Sequence, residues 1–489
     1  MMARRVAALL MLLMLGMPFV PFMLGTALMG LAAPAQAFPG VYVARHAQRM
    51  TNRSTTVVLV RDGRRTVVTI QPDYRGPAED FALVLPVAGE VRAEDVKTLD
   101  KRLLERVDRF SAPRLLEVWE QDPCAARPRP PTASAGRCEA ATNDPRRPEP
   151  VQTFQDGEYS FMAPGPAESA TIVAFLRARD YQVSDAVEAA LLPHMAAGAR
   201  FLIAEVDRRQ VHFSADGEAV LSPLRFHYDG DRLALPLQIG TVNASGPQEL
   251  VIHVLAARRH EPANAPSAIV PTAIDLRVAA RERFGPVYAA LFDAAQARQP
   301  NGLLVEFAGP AGESTPCAIS KLGDEELGAL GLELAPTLAD APPSSLVISR
   351  LHARWSPGAV PNELELRAAD PIAGGIARTH ATDAPEPVMP AANAFQARYL
   401  IRHAWPGAPR CEAPVHGVWG EPADGEAPAP RLVRGNADVE RDLALADYLA
   451  QDLPELGVKA RRCGCDQGAP AGAWLTLVAL LGWPRRRRR

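Results

Sequence analysis

The cysteines are the most legible chemistry in this 489-residue chain, which has six of them. Cys463 and Cys465 flank a single glycine near the end. The other four stand in the body, at Cys124, Cys138, Cys317 and Cys411. An even number of thiols in a body exposed to an oxidising compartment would point to disulfides, and four allow three pairings. Cys124 and Cys138 flank a Pro- and Arg-rich stretch and make the natural local pair. Cys317 and Cys411 would then staple the second half. A metal site is the rival reading, but the body contains no CxxC pair to build one.

Histidines and acids offer less. His212 and His227 fall on nearby expected strands and could face each other, but no third ligand accompanies them, so structural roles are expected. His403 and His416 flank Cys411, which invites a Cys/His site. In an oxidising compartment a disulfided Cys411 is the expected state instead. Asp229-Gly230-Asp231 is acidic but reads first as a turn, and Glu79-Asp80 as a loop ahead of a strand. Arg398 and Arg402 lie opposite the aromatics of their segment and are expected to be solvated. No GxSxG elbow, HExxH, P-loop, strand-linked GxGxxG or calcium loop occurs. Catalytic, cofactor-binding and metal residues are therefore none, and no cofactor is expected. The net charge of −3 gives no reason to expect a nucleic-acid partner, and no ligand is identifiable.

The two ends carry targeting patterns. Arg4 and Arg5 precede an apolar run from Val6 to Ala33, and Ala35-Gln36-Ala37 is the small-x-small pattern that signal peptidase accepts. Residues 1–37 are expected to be a signal peptide, leaving Phe38 as the mature N-terminus. At the other end, Ala471 to Trp483 is uncharged and apolar, bracketed by Trp474 and Trp483, and five arginines follow, Arg485 to Arg489. As a helix the stretch is about 20 Å long against a hydrocarbon core of about 30 Å, so it spans only with help from its flanks. Terminal arginines stay on the cytoplasmic side, which puts the body outside the inner membrane.

These ends flank a body in which apolar periodicity marks the elements. Thr55 to Val60 and Thr66 to Ile70 read as a hairpin around Asp62-Gly63, a type I′ turn signal, with Phe81 to Val87 a third strand. Glu94 to Phe110 repeats apolar residues at helical steps, and Leu115 to Trp119 is another apolar segment. Ser169 to Arg179 is helical, and Ser184 is the expected N-cap for Asp185 to Leu192. Strands are expected at Phe201 to Val206, Gln210 to Phe213, Leu224 to Tyr228, Leu233 to Ile239 and Leu250 to Leu255. Further on, Pro286 to Gln296 is a helix, Leu303 to Phe307 a strand, Leu346 to Trp355 and Glu363 to Arg367 a strand pair, and Phe395 to Trp405 an alternating segment. The 46 prolines favour loops and short β elements.

The expected fold class is α+β, β-rich, with antiparallel sheets, a few packed helices and two domains. Residues 38–260 form the first, with a Pro/Arg-rich loop near 123–150. Residues 261–271, with three prolines, read as a linker. Residues 272–430 form a β-rich second domain. Residues 431–462 hold a helix and linker, and residues 463–489 the tail.

Two resemblances add to this. The tail resembles the MYXO-CTERM sorting signal of myxobacteria: a Cys motif, a short apolar helix and an Arg cluster. That implies removal of the tail by a dedicated sorting protease and lipid attachment at Cys463 or Cys465. The body segments Phe38-Pro-Gly-Val-Tyr-Val, Val57 to Ile70, Phe81-Ala-Leu-Val-Leu-Pro-Val, Ser111-Ala-Pro-Arg-Leu, the Tyr181/Phe201 region, and Phe395 to Trp405 followed by Cys411 resemble the domain-of-unknown-function family 2330. Pro39 departs from the Cys expected beside the first aromatic. The resemblance carries over no catalytic residue, substrate or cofactor. The expected function is that of an exported, membrane-anchored cell-surface protein with a non-catalytic binding or structural role. Its expected partners are the membrane, signal peptidase and the sorting protease. The alternative is a cell-surface hydrolase or other enzyme with an unrecognised site.

Overall fold

The computed structural model describes residues 38–77, 80–125, 157–214, 219–272, 274–312, 321–355, 363–375, 392–422, 428–433 and 435. In chain order the elements are β1 (Val41–Ala44), β2 (Thr51–Asp62), β3 (Arg65–Arg75), β4 (Phe81–Val87), α1 (Lys101–Ser111), β5 (Arg114–Glu120) and β6 (Tyr159–Met162). Next come α2 (Pro166–Ala170), α3 (Ile172–Arg177), α4 (Asp185–Ala196), β7 (Arg200–Val206), β8 (Leu224–Asp229), β9 (Leu233–Leu235), β10 (Ala244–Ala256), β11 (His260–Pro262) and β12 (Ser267–Ile269). The last are α5 (Phe284–Arg298), β13 (Leu303–Pro310), α6 (Asp324–Ala329), β14 (Val347–Trp355), β15 (Leu364–Ala368), β16 (Ala394–Gln396) and β17 (Arg398–His403).

Period-two alternation sorts the apolar residues of the strands into layers. On β2, Val57 and Leu59 face one core while Val58 and Val60 face another. On β4, Phe81, Leu83 and Leu85 face that first core, and Ala82 and Val84 a further one under α3 and α4. The result is four layers. Helices α3 and α4 cover the sheet β1-β4-β7-β6, which packs on a ten-stranded sheet, which in turn is covered by α1, α6 and α5. The large sheet runs from Ala373–Gly374 through β16, β13, β14, β10, β2, β3 and β8 to Lys97–Thr98, with β12 beside β13.

The molecule is β-rich with a few helices, as expected, but its sheets are mixed. Strand β10 pairs β2 in parallel and β14 antiparallel, and β17 pairs β5 in parallel. The large sheet also crosses the expected domain divide: β2, β3, β8 and β10 precede residues 261–271, and β13, β14 and β16 follow them. Those residues are not a bare linker. Strand β11 pairs β15, and β12 pairs β13, so backbone pairing outweighs the three prolines.

Local chemistry explains where other expectations shift. The hairpin turn sits at Gly63-Arg64, and only Gly63 takes a positive φ (+55°), whereas a type I′ turn would need it at both central residues. The helix expected over Glu94 to Phe110 starts at Lys101, because the Asp100 carboxylate accepts from the Arg102 N–H at 2.9 Å and caps it there. The preceding Lys97–Thr98 is spent on pairing with β8. Ser184 caps α4 as expected, accepting from Val187 N. Strands β14 and β15 are not a pair; β14 lies between β10 and β13, and β15 between β9 and β11. The alternating segment from Phe395 breaks at Ala397, where the chain leaves the large sheet to pair with β5. The last helix expected, Val439 to Leu453 within residues 431–462, lies outside the described residues.

Candidate functional site

The densest ionisable chemistry is sealed inside the molecule, on the helix-covered face of the large sheet. Glu249 on β10, Glu306 on β13, and Arg350 and His352 on β14 all point to that face, and Asp108 meets them from α1. None is more than 9% exposed. The side chains bond end to end. His352 Nε2 is 2.7 Å from Glu249 Oε1, and its Nδ1 is 2.6 Å from Glu306 Oε1. Arg350 Nε donates to Glu306 Oε2 at 2.5 Å, and its Nη1 donates to Asp108 Oδ1. The Tyr288 hydroxyl of α5 also donates to Glu306. A bulge in β13 between Val305 and Phe307 turns Glu306 and Phe307 toward the helices.

Hydrogen bonding sets the protonation states. Both imidazole nitrogens of His352 face carboxylates, so both must donate and the ring is an imidazolium. Burial alone would discharge it, but Glu306 and Glu249 together outweigh burial and raise its pKa to about 9. Burial likewise opposes the charge on Glu306, and His352 and Arg350 overcome it, bringing the carboxyl down to about 2. His253, the cross-strand partner of Arg350, behaves oppositely. Burial and then Arg350 push it well below the ordinary histidine range, and its Nε2 sits 3.0 Å from Ser111 Oγ. With Phe292 packed 4.2 Å from the His352 ring, the network lies between two apolar clusters and ties α1 and α5 to three strands.

A second cluster surrounds the disulfide. Cys124 bonds to Cys411, not to Cys138 as the local spacing suggested. The parallel pairing of β17 with β5 explains it. Arg398 lies opposite Arg114 and His403 opposite Trp119, so both strands run out in the same direction and carry the two cysteines to one place. Val415 N donates to Pro123 O at 2.9 Å beside the bond. Glu120 fastens the loop further. It accepts from Trp405 N at 3.0 Å, Gly417 N at 2.9 Å and His416 Nδ1 at 3.0 Å, and the two backbone donors lead in holding it below the usual carboxylate range. His403 stacks on Trp119 with centroids 4.6 Å apart and reaches Glu117 at 2.7 Å, and Arg281 also bonds Glu117.

The other candidate residues are dispersed. His227 faces Asp95 at 4.0 Å, while His212 is exposed on a two-stranded ribbon. Asp229 pairs with Arg65 and Asp231 with Arg64, which settles that turn as an ion-paired corner. Arg398 is buried and donates to Gln396 Oε1 at 2.8 Å, contrary to the solvated role expected. Its neighbour Arg402 pairs with Asp275 and lies over Trp419. Phe38 is buried and stacks on Tyr42. Ala35, Ala37, Glu79, Cys138, Cys317, Cys463 and Cys465 lie outside the described residues. Among the described residues no group of three or more His, Cys, Asp or Glu is placed to hold a metal, and no helix is long and apolar enough to cross a membrane.

Sequence reasoning missed the Glu249–His352–Glu306–Arg350–Asp108 network. Its one visible signal is the alternation of Arg350, His352 and Arg354 with Leu351, Ala353 and Trp355, which says that the polar residues share a face but not that helices cover it.

Comparison with the curated proteins finds no match. Among solved structures, the crystal structure of baculovirus P35 is similar over 42% of this chain and 64% of its own, at 13% identity and a TM-score of 0.23. A similarity that low carries no argument about fold or function. Residues 33–367, more than half of the chain, match the model of the family described as an uncharacterized protein conserved in bacteria (DUF2330), and the chain belongs to that family.

Proposed function

We propose that this is an exported protein, anchored in the cell envelope, that acts by binding or as a structural component and not by catalysis. The observation that carries export is the Cys124–Cys411 bond, because structural disulfides persist in oxidising compartments. In this reading residues 1–37 are a signal peptide cleaved before Phe38. Residues 463–489 are a sorting tail, lipidated at Cys463 or Cys465 and then trimmed. The non-catalytic role is supported by where the charge is spent. Glu306, Arg350 and His352 are fully buried and bonded to one another, out of a substrate's reach.

Mass spectrometry of the protein from envelope and soluble fractions, without reductant, tests this. A mature chain starting at Phe38, lacking Arg485 to Arg489 and yielding a Cys124–Cys411 cross-linked peptide is expected. Full-length chain in the soluble cytosolic fraction with both thiols free overturns it.

A further inference from the structure

We infer that the groove between residues 45–51 and the start of α4 binds a small organic anion that carries an apolar part. This gives a ligand class to the binding role proposed above and rests on it, but not on export. The groove holds about 770 Å³, within the range of small-molecule sites. His46, Arg49 and Arg177 line it together with Val183, Val187 and Val242, and no Asp or Glu is among its lining residues. The carboxylates nearest to two of these side chains stand outside the lining: Glu188 pairs with Arg177 at 2.6 Å, and Asp80 is 3.8 Å from His46. Arg49 is exposed and enters no ion pair among the described residues. A carboxylate or phosphate placed here gains a guanidinium with no competing acid in the wall, while the valines take up an apolar body. A cation would be repelled by the Arg49 and Arg177 guanidiniums, and a neutral molecule would gain no charge-assisted contact from them.

The test uses the full chain in nanodiscs of neutral phosphatidylcholine, with empty discs as the blank, and calorimetric titration of four matched probes. These are phenylpropionate, phenylpropyl phosphate, phenylpropanol and phenylpropylamine. Saturable binding of at least one anion is expected, about tenfold tighter than the alcohol or the amine; which anion is tighter distinguishes a carboxylate ligand from a phosphate. Arg49→Glu and Gln182→Glu, both at exposed lining positions, are each expected to weaken it about tenfold. Arg298→Glu, an equal charge change at the exposed end of α5, is expected to leave it unchanged. Thermal unfolding confirms that each variant folds, and Gln182→Glu carries the test if Arg49→Glu does not. Failure of both anions to bind, equal binding of all four probes, or an equal loss in Arg298→Glu overturns the inference. Each of these leaves the export reading intact, since that is read from processing and fractionation.

Discussion

Replacing Glu306 by Gln is expected to destabilise the protein by about 3–5 kcal/mol, the cost typical of removing one partner from a buried ion pair. Glu306 is 0% exposed and accepts from three donors: the Tyr288 hydroxyl, His352 Nδ1 at 2.6 Å and Arg350 Nε at 2.5 Å. Glutamine keeps the volume, so no cavity term enters. It offers one oxygen where there were two, and turns an N–H₂ toward a donor. The network's formal charge goes from three acids against two bases to an even balance, so the loss reports broken contacts and not an excess of charge. One relaxation lowers the cost: without Glu306, burial reasserts itself and His352 tends to discharge. Urea unfolding at pH 7 measures the single change, and a cycle with Arg350→Met measures the coupling, expected to exceed about 1 kcal/mol. A loss below about 1 kcal/mol for Glu306→Gln, or strict additivity with Arg350→Met, would refute the assignment of this network as an interlocked unit.

Three further outcomes follow from the same geometry. The folded pKa of His352, about 9, is above the ordinary value of about 6.5, so its contribution is complete below about pH 6.5 and fades as pH rises through 9. Wild type should therefore lose about 3 kcal/mol across that window and His352→Gln much less; parallel profiles would remove His352 as the cause. Joint replacement Cys124→Ser and Cys411→Ser opens a link between residues 287 apart and should cost about 2–5 kcal/mol. Wild type with reductant should fall to the level of that variant, and an unmoved midpoint counts against a structural bond. Finally, Ser184→Ala should cost about 1 kcal/mol by uncapping α4, and Ser184→Asn much less; equal losses would mean the cap is not what Ser184 supplies.

What the sequence makes legible here is periodicity, and what it conceals is which surface each face meets. The hairpin of β2 and β3, the strand β4 and the capped helix α4 follow from alternation, turn residues and a serine before an acidic first turn, all of which are local. The buried charge is not local. Arg350 to Trp355 alternates as a half-exposed antiparallel strand would, and a polar face on such a strand is by default solvated. That default fails because α1 arrives from some 240 residues earlier and sets Asp108 against Arg350, while α5 sets Tyr288 against Glu306. The cysteines make the same point in covalent form. Spacing favours Cys124 with Cys138, but a parallel strand pair fixes direction over long separations, and the parallel run of β5 and β17 delivers Cys411 instead. The expected linker at 261–271 fails for a related reason: proline content reports on the local backbone, and β11 and β12 are held by strands far from them in sequence. Arg398 belongs with these cases, since the break at Ala397 moves it from one sheet to the next and buries a side chain that alternation would expose. In this protein, then, sequence-local rules hold where an element's partner is its neighbour, and give way where parallel pairing or a returning helix supplies the partner.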